Sequence, residues 1–192
     1  MRYSFLTTFA ACLFLSSTLA LGQQTAAKTT ADFGQPSKNT PPAFLDFNDL
    51  IGIGECNSTR RNPDGSWQKP EFMTWTWRYI MDGQGVQDES IKDNGNHSGN
   101  IRQYVESEGK WYVHWYNSGQ PAPTLPTWTG GKKDDGTIVL YRDQKSPQGM
   151  EGFSKLTFYD ISETGYKWVG EWVDKAEKIV YPTWRIECEK QR

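Results

Sequence analysis

Turn-forming residues divide this sequence into short segments of strand length, and this spacing restricts the fold more than any other feature. The turns contain Gly, Asn or Asp, as in Asp82-Gly83, Asn94-Gly95 and Thr164-Gly165, which tolerate the backbone angles that tight hairpins require. The segments between them predict strands over Leu50–Cys56, Glu71–Met81, Val86–Lys92, Asn100–Ser107, Trp111–Asn117, Thr127–Lys132, Thr137–Asp143, Gly152–Ile161, Tyr166–Asp174 and Lys178–Glu187.

This pattern predicts an all-β fold, an antiparallel up-and-down barrel of about ten strands, or else a sandwich. The hairpin-length links favour the barrel, because Greek-key crossovers need longer connections. Phe44–Leu50 is the one segment typical of a short helix, and its Phe44, Leu45 and Phe47 are available to plug one barrel end. The long Pro-rich loop at 118–126 is placed to lie across a barrel mouth.

The first 43 residues are predicted to lie outside the fold. Arg2 precedes an apolar run without acidic residues and then small residues at 20 and 22, which predicts a secretory signal peptide over 1–22. Residues 23–43 have almost nothing to bury and are predicted to be a disordered leader, followed by one barrel domain over 44–192. No second apolar run follows, so we expect an exported protein, secreted or periplasmic, without membrane insertion after cleavage.

The charge and the cysteine content indicate which classes of partner and which cellular compartment the sequence favours. The chain has 21 basic and 23 acidic residues, and loss of the signal peptide removes only Arg2. Without a basic stripe, nucleic-acid binding is disfavoured. Two cysteines remain, Cys56 near the first strand and Cys188 in the last, and an oxidising compartment favours a disulfide between them. The alternative is two buried free thiols.

Three motifs resemble those of uncharacterised bacterial lipocalin-like proteins, the DUF1579-type set within the calycin-like barrels. They are FLDFNDLIG at 44–52, IMDGQGVQDE at 80–89, and Arg102-Gln103-Tyr104 followed by WYVHW at 111–115. The resemblance spans most of residues 44–188 and implies a barrel with an internal cavity, but it carries no established reaction. Such barrels usually open with Leu-x-Gly-x-Trp, whereas here Gly54 replaces the tryptophan that plugs the base, so another aromatic side chain must fill that space or the base is more open.

The segment Phe72–Ser90 predicts a hairpin with aromatic side chains on one face. A two-residue turn at Gly83-Gln84 would pair Met81 with Val86 and Arg78 with Glu89. Because exposed aromatic side chains would form a large apolar patch, we expect the aromatic face to point inward. The same reasoning predicts an inward set on several strands: Trp75, Trp77, Tyr79, Met81, Trp111, Val113, Trp115, Tyr166, Trp168, Trp172, Trp184 and Ile186.

Inward aromatic side chains are compatible with a solid core or with a ligand pocket. Asp88 and Ser90 share the inward face, and buried polar groups need partners, which Arg102 and Tyr104 on the next strand would supply. Apolar walls with a few convergent polar groups are typical of small-molecule pockets. The candidate ligand-binding residues are Trp75, Trp77, Tyr79, Asp88, Glu89, Arg102, Tyr104, Trp111, Trp115, Trp168 and Trp172.

Glu89 has two interpretations. In the predicted register it forms an exposed cross-strand ion pair with Arg78. If the turn holds one more residue, Glu89 instead faces Tyr79 and joins the pocket.

Chemistry that depends on metals or nucleophiles finds little support. His97 and His114 lie in different settings, so we expect no metal site and no cofactor; haem binding of the nitrobindin kind would require His114 as the axial ligand. No Gly-x-Ser-x-Gly motif is present, and Asp88 and Glu89 point to opposite faces of a strand, unlike a glycosidase pair. No catalytic residue is assigned.

Three functions remain compatible with these observations. The first is non-covalent binding of a small hydrophobic, aromatic or amphipathic ligand, anchored by Arg102 and Asp88. If Asp88 neutralises Arg102, a neutral polar ligand is favoured over an anion. The second is a cofactor-independent lyase or isomerase using Tyr79, Tyr104, Arg102 and Glu89 in the same cavity, and the third is a solid barrel that acts through its outer surface.

Overall fold

Ten antiparallel strands follow one another around a closed barrel in the computed structural model, which describes residues 33–38 and 40–191. The predicted signal peptide and residues 23–32 lie outside the described residues. The strands are β1 Gly52–Arg60, β2 Glu71–Ile80, β3 Gly85–Lys92, β4 His97–Val105, β5 Lys110–Asn117, β6 Thr127–Lys132, β7 Ile138–Asp143, β8 Gly152–Tyr159, β9 Gly165–Asp174 and β10 Val180–Lys190. The predicted all-β barrel is confirmed.

The barrel closes because β1 pairs with β10 as well as with β2. Cys56 and Cys188 are direct partners in this last pairing and form a disulfide, with Cα atoms 4.1 Å apart. The predicted bridge between the first and last strands is therefore confirmed. Both cysteines alternate with outward residues and point into the barrel, where they are buried.

Short 3₁₀ helices at Pro42–Leu45 and Asn48–Leu50 plug the barrel end at which β2 ends and β3 begins, here called the closed end. Phe44, Phe47 and Leu50 are buried there. The prediction that Leu45 also points inward is wrong, because its side chain is 48% exposed. Phe44 and Phe47 both pack against Trp111, and Leu45, which lies between them in the sequence, points away from that contact.

The β2–β3 hairpin has a different register from the predicted one. Tyr79 faces Val86 and Trp77 faces Asp88, two residues away from the predicted pairing, because the connection is a four-residue turn over 81–84. Met81 and Asp82 adopt positive φ in this turn, and Met81 is exposed instead of inward. A shift of two residues preserves the side-chain alternation, so the other inward residues of the hairpin keep their predicted face.

Residues 33–38, part of the predicted disordered leader, lie beside the end of this hairpin. The Tyr79 N–H donates to the Phe33 carbonyl at 2.8 Å, and the Ser37 N–H donates to the Gly83 carbonyl at 3.4 Å. A Cβ at Gly83 would lie 2.2 Å from the Ser37 nitrogen, so this contact requires glycine. Within the described part of the chain, no helix has the length and apolar character needed to cross a membrane.

Candidate functional site

The barrel interior is divided into a filled half and a hollow half. Aromatic side chains fill the closed end, whereas a cavity of about 280 Å³ occupies the other half and reaches Arg60, the exposed last residue of β1. We call the end at Arg60 the open end. The cavity is lined by side chains or backbone of Arg60, Met73, Trp75, Asp88, Ser90, Ser98, Asn100, Arg102, Val113, Trp115, Trp128, Leu140, Ser154, Leu156, Phe158, Trp168, Gly170, Glu171, Thr183, Trp184 and Ile186.

A buried ion pair between Asp88 and Arg102 lies at the floor of this cavity. The two side chains are 1% and 2% exposed, and Arg102 Nη1 donates to Asp88 Oδ2. Asn100, directly opposite Asp88 in the β3–β4 pairing, donates to both carboxylate oxygens at 3.1 and 3.0 Å. The Trp75 indole adds a bond of 2.8 Å to Oδ1. Four donated hydrogen bonds therefore saturate the Asp88 carboxylate.

The Arg102 guanidinium, in contrast, has more hydrogen-bond donors than the surrounding side chains pair with. Its Nε is buried and has no hydrogen-bond partner among the described residues. The guanidinium lies over the Trp77 ring, with Cζ 4.3 Å from the centroid, and 5.0 Å from the Phe47 centroid. Burial lowers the pKa of Arg102, and the nearby Asp88 charge partly offsets that shift. Arg102 lines the cavity and makes a hydrogen bond only through Nη1 among the described residues, so an acceptor in the cavity would pair with a remaining N–H of its Nη groups.

The cavity has a polar side and an aromatic side. Inward residues of β3 and β4 supply the polar strip, in which Ser90 Oγ lies 2.8 Å from Ser98 Oγ. On the opposite wall, Trp168 packs edge-on against Trp184 with ring centroids 5.0 Å apart and against Trp75 at 6.4 Å. A planar molecule with one polar edge fits such a division.

Two arginines are stacked on indoles towards the open end. Arg60 Cζ lies 3.8 Å from the Trp184 ring centroid, and Arg142 Cζ lies 4.4 Å from that of Trp128. Burial lowers the pKa of both arginines. Neither guanidinium has a carboxylate within ion-pair distance among the described residues, although the charge of Glu71 acts on Arg60 and Glu171 also lines the cavity.

The structure brings five of the predicted ligand-binding residues to the cavity and places six elsewhere. Those that line the cavity are Trp75, Asp88, Arg102, Trp115 and Trp168. Trp77, Tyr79, Tyr104 and Trp111 point inward as predicted, but they belong to the filled closed end. Trp172 is in step with the inward residues of its strand, as predicted. It lies at the edge of the barrel, however, and donates its indole N–H to the Gln144 carbonyl at 3.0 Å.

The closed end is filled because the helical plug reaches its aromatic side chains. Phe47 contacts Trp77 and Trp111, with centroids 6.0 and 5.0 Å apart, and Trp77 Nε1 donates to the Tyr166 hydroxyl at 3.0 Å. Burial raises the pKa of Tyr166 well above its usual range. Burial, reinforced by Asp49, raises the pKa of Tyr79 to about 12. These phenols are packing groups and do not face the cavity.

Glu89 and the two histidines lie on the outer face of the barrel. Glu89 contacts Arg78 at 3.9 Å and His97 Nδ1 at 3.1 Å, so the alternative turn that would bring it into the pocket is not adopted. The exposed pair with Arg78 is present, although diagonally across the strands, because Arg78 faces Gln87. His114 Nδ1 contacts the Thr127 hydroxyl at 2.9 Å, and no histidine lines the cavity, so the haem alternative lacks its axial ligand there.

Several cavity residues were absent from the predicted set. Asn100 alternates with Arg102 on one strand, and this spacing of two was sufficient to place it beside Asp88. Trp128 stands next to glycine-rich Thr129-Gly130-Gly131 in a short strand, where the alternation signal is weak. Its indole donates to Ser154 Oγ at 3.1 Å, a contact between non-adjacent strands that alternation does not reveal.

Comparison with known proteins supports the fold class. No protein-family model matches the chain, and no curated protein matches it. Among solved structures, Rv2717c from M. tuberculosis superposes with a TM-score of 0.52 at 10% identity, covering 80% of this chain and 100% of that chain. The S-type phycobiliprotein lyase CPES from Guillardia theta gives a TM-score of 0.48 at 10% identity, covering 80% and 99%.

At such low identity, structural similarity shows the fold alone. The ten-stranded barrel and its similarity to Rv2717c fit a lipocalin-like, calycin-type fold. The narrower DUF1579-type resemblance rests on the sequence motifs only.

Proposed function

We propose that this protein is an exported binding protein that holds a small aromatic or amphipathic molecule non-covalently in the hollow half of its barrel. The observation that carries the proposal is the Arg102 guanidinium, which lines an aromatic cavity and makes a hydrogen bond only through Nη1 among the described residues. An unsatisfied buried donor is costly, so a ligand acceptor that pairs with it gains affinity. The Cys56–Cys188 disulfide supports export, because such bonds persist in oxidising compartments.

The cavity volume limits the size of the ligand. An engineered cavity of about 150 Å³ binds benzene. The volume here, about 280 Å³, is a little under twice that, so the cavity suits a ligand of roughly two fused rings. A larger ligand would extend through the open end past Arg60.

The test is calorimetric titration of the mature protein with two-ring aromatic compounds, with tryptophan emission followed in parallel. Saturable one-to-one binding without consumption of the compound is expected. Leu156→Trp, which adds an indole to the cavity wall, is expected to weaken binding at least tenfold. Lys155→Trp is the matched control, because Lys155 is the adjacent residue on the outer face. Equal affinity in both variants would show that binding occurs outside the cavity.

The other two functions receive no specific support from the site. Of the four residues on which the lyase or isomerase depends, only Arg102 lines the cavity; Tyr79 and Tyr104 are in the closed end and Glu89 is outside. The solid-barrel alternative requires a filled interior, whereas the described side chains leave the open half hollow.

A further inference from the structure

Resting on the proposed function, we infer that the ligand enters with an uncharged hydrogen-bond acceptor first, such as a carbonyl oxygen, which pairs with Arg102. An acidic group on the ligand, where it has one, stays at the open end beside Arg60. The ligand class is therefore a planar aromatic carbonyl compound rather than an aromatic acid bound by its carboxylate at the floor.

The charge at the cavity floor argues against a buried anion. Asp88 is 1% exposed and already neutralises Arg102. A ligand carboxylate beside this pair would place a second negative charge within a few ångströms of Asp88, in a site with little water to screen the repulsion. A neutral oxygen avoids that repulsion and avoids the cost of removing a carboxylate from water.

The donor count at the floor argues for an acceptor. All hydrogen bonds at the Asp88 carboxylate come from the protein, which leaves no strong acceptor there for a ligand donor. Arg102, in contrast, has five N–H groups and makes a hydrogen bond only through Nη1 among the described residues. Its plane is held between Phe47, Trp77 and Asp88, so the remaining donors have fixed directions before a ligand arrives.

The walls select a flat ligand and orient it. Trp75, Trp168 and Trp184 form a continuous series of ring contacts from the floor towards the open end. At the far end of this series, Arg60 lies over Trp184 and is exposed. No carboxylate among the described residues lies within ion-pair distance of it, although Glu171 also lines the cavity and the charge of Glu71 acts on Arg60. An acidic substituent therefore finds its counter-charge in Arg60 and remains partly hydrated.

The experiment compares three two-ring probes on the mature protein by calorimetry: coumarin, which has a neutral carbonyl; naphthalene, which has no acceptor; and 2-naphthoate, which is anionic. Coumarin is expected to bind at least about tenfold more tightly than naphthalene, the range for a hydrogen bond to a charged donor. Arg102→Lys, which keeps a positive charge for Asp88 but removes the guanidinium donors, is expected to abolish most of that difference. Arg78→Lys, the same substitution on the outer face, is expected to leave it unchanged.

The anionic probe tests which end of the bound ligand lies at the cavity floor and which lies at the open end. Arg60→Gln is expected to lower the affinity for 2-naphthoate at least fivefold, and by a larger factor than the affinity for coumarin. Arg102→Lys is expected to lower the affinity for coumarin by the larger factor. Naphthalene binding as tightly as coumarin to the unaltered protein would overturn the inference, and this comparison needs no variant to fold. A greater loss of 2-naphthoate than of coumarin in Arg102→Lys would also overturn it. If none of the three probes binds, the proposed function itself fails.

Discussion

Cys56 and Cys188 face each other across the β1–β10 pair, with Cα atoms 4.1 Å apart and a sequence separation of 132. This contact joins the first strand to the last, so the disulfide links the two strands whose pairing closes the barrel. Every other pair of neighbouring strands is consecutive in the sequence. The β1–β10 pair alone must form between distant parts of the chain, which makes its loop-closure entropy the largest in the fold.

Removal of this disulfide is expected to lower the free energy of unfolding by about 2–5 kcal/mol, because a long closed loop restricts the unfolded chain. The measurement is urea unfolding of the protein with and without reductant, beside the double variant Cys56→Ser/Cys188→Ser. The double variant should unfold at one urea concentration in both conditions. A reductant effect of the same size in the variant would assign the loss to something other than this bond.

The helical plug provides a second prediction. Phe47 is fully buried and contacts Trp77, Trp111 and Phe158, so Phe47→Ala is expected to destabilise the protein by about 3–5 kcal/mol. Leu45→Ala, in the adjacent 3₁₀ helix, is expected to change stability by at most about 0.5 kcal/mol, because Leu45 is largely exposed. Thermal and urea unfolding of both variants decide the matter. Similar losses in the two would contradict the assignment of Phe47 as the plug.

The fold could be predicted from the sequence because turn residues and side-chain alternation are both local signals. The hairpin register shows the limit of such signals. The predicted two-residue turn at Gly83-Gln84 is chemically reasonable, but the chain uses four residues, and Gly83 is held against Ser37 from outside the hairpin. Alternation has a period of two, so the error moved the pairing without changing which side chains point inward.

The division between core and cavity could not be predicted from the same signals. Trp75 and Trp77 share a face and are two residues apart, yet Trp75 lines the cavity and Trp77 lies beneath Phe47 and Arg102. What separates them is the depth reached by the helical plug, a contact between distant segments. Alternation identifies the inner face of a strand, but it does not show how far along the barrel axis that face is covered.

The buried ion pair gives a prediction at the candidate site. Asp88→Ala would leave the Arg102 charge buried without a partner, and we expect it to cost about 3–5 kcal/mol of stability. Glu89→Ala, the next residue on the same strand, removes only exposed contacts with Arg78 and His97 and should cost about 1 kcal/mol or less. Chemical unfolding of the two variants provides the comparison. A loss in Asp88→Ala as small as that in Glu89→Ala would mean that water reaches Arg102 freely.

At the base of the barrel, glycine stands at position 54, where the barrels that the sequence resembles usually carry tryptophan. A Cβ built on Gly54 would lie 3.0 Å from the Tyr166 hydroxyl and 3.4 Å from both Cys56 Sγ and Cys188 Cβ. Tyr166, held by the hydrogen bond from Trp77, therefore occupies the space above Gly54. Of the two predicted outcomes, another aromatic side chain in this space or a more open base, the first is observed.

Gly54→Ala is accordingly expected to destabilise the protein by about 1–3 kcal/mol, because the added methyl group overpacks this space. Gly131→Ala is the matched control, since its Cβ would meet nothing closer than Trp111 Cδ1 at 3.6 Å. Tyr166→Phe removes the hydroxyl and should relieve the crowding, at the expense of the acceptor for Trp77. In a double-mutant cycle measured by urea unfolding, Gly54→Ala should therefore cost less in the Tyr166→Phe background, with a coupling of at least about 0.5 kcal/mol. Additive effects would mean that Tyr166 does not fill the place of the missing indole.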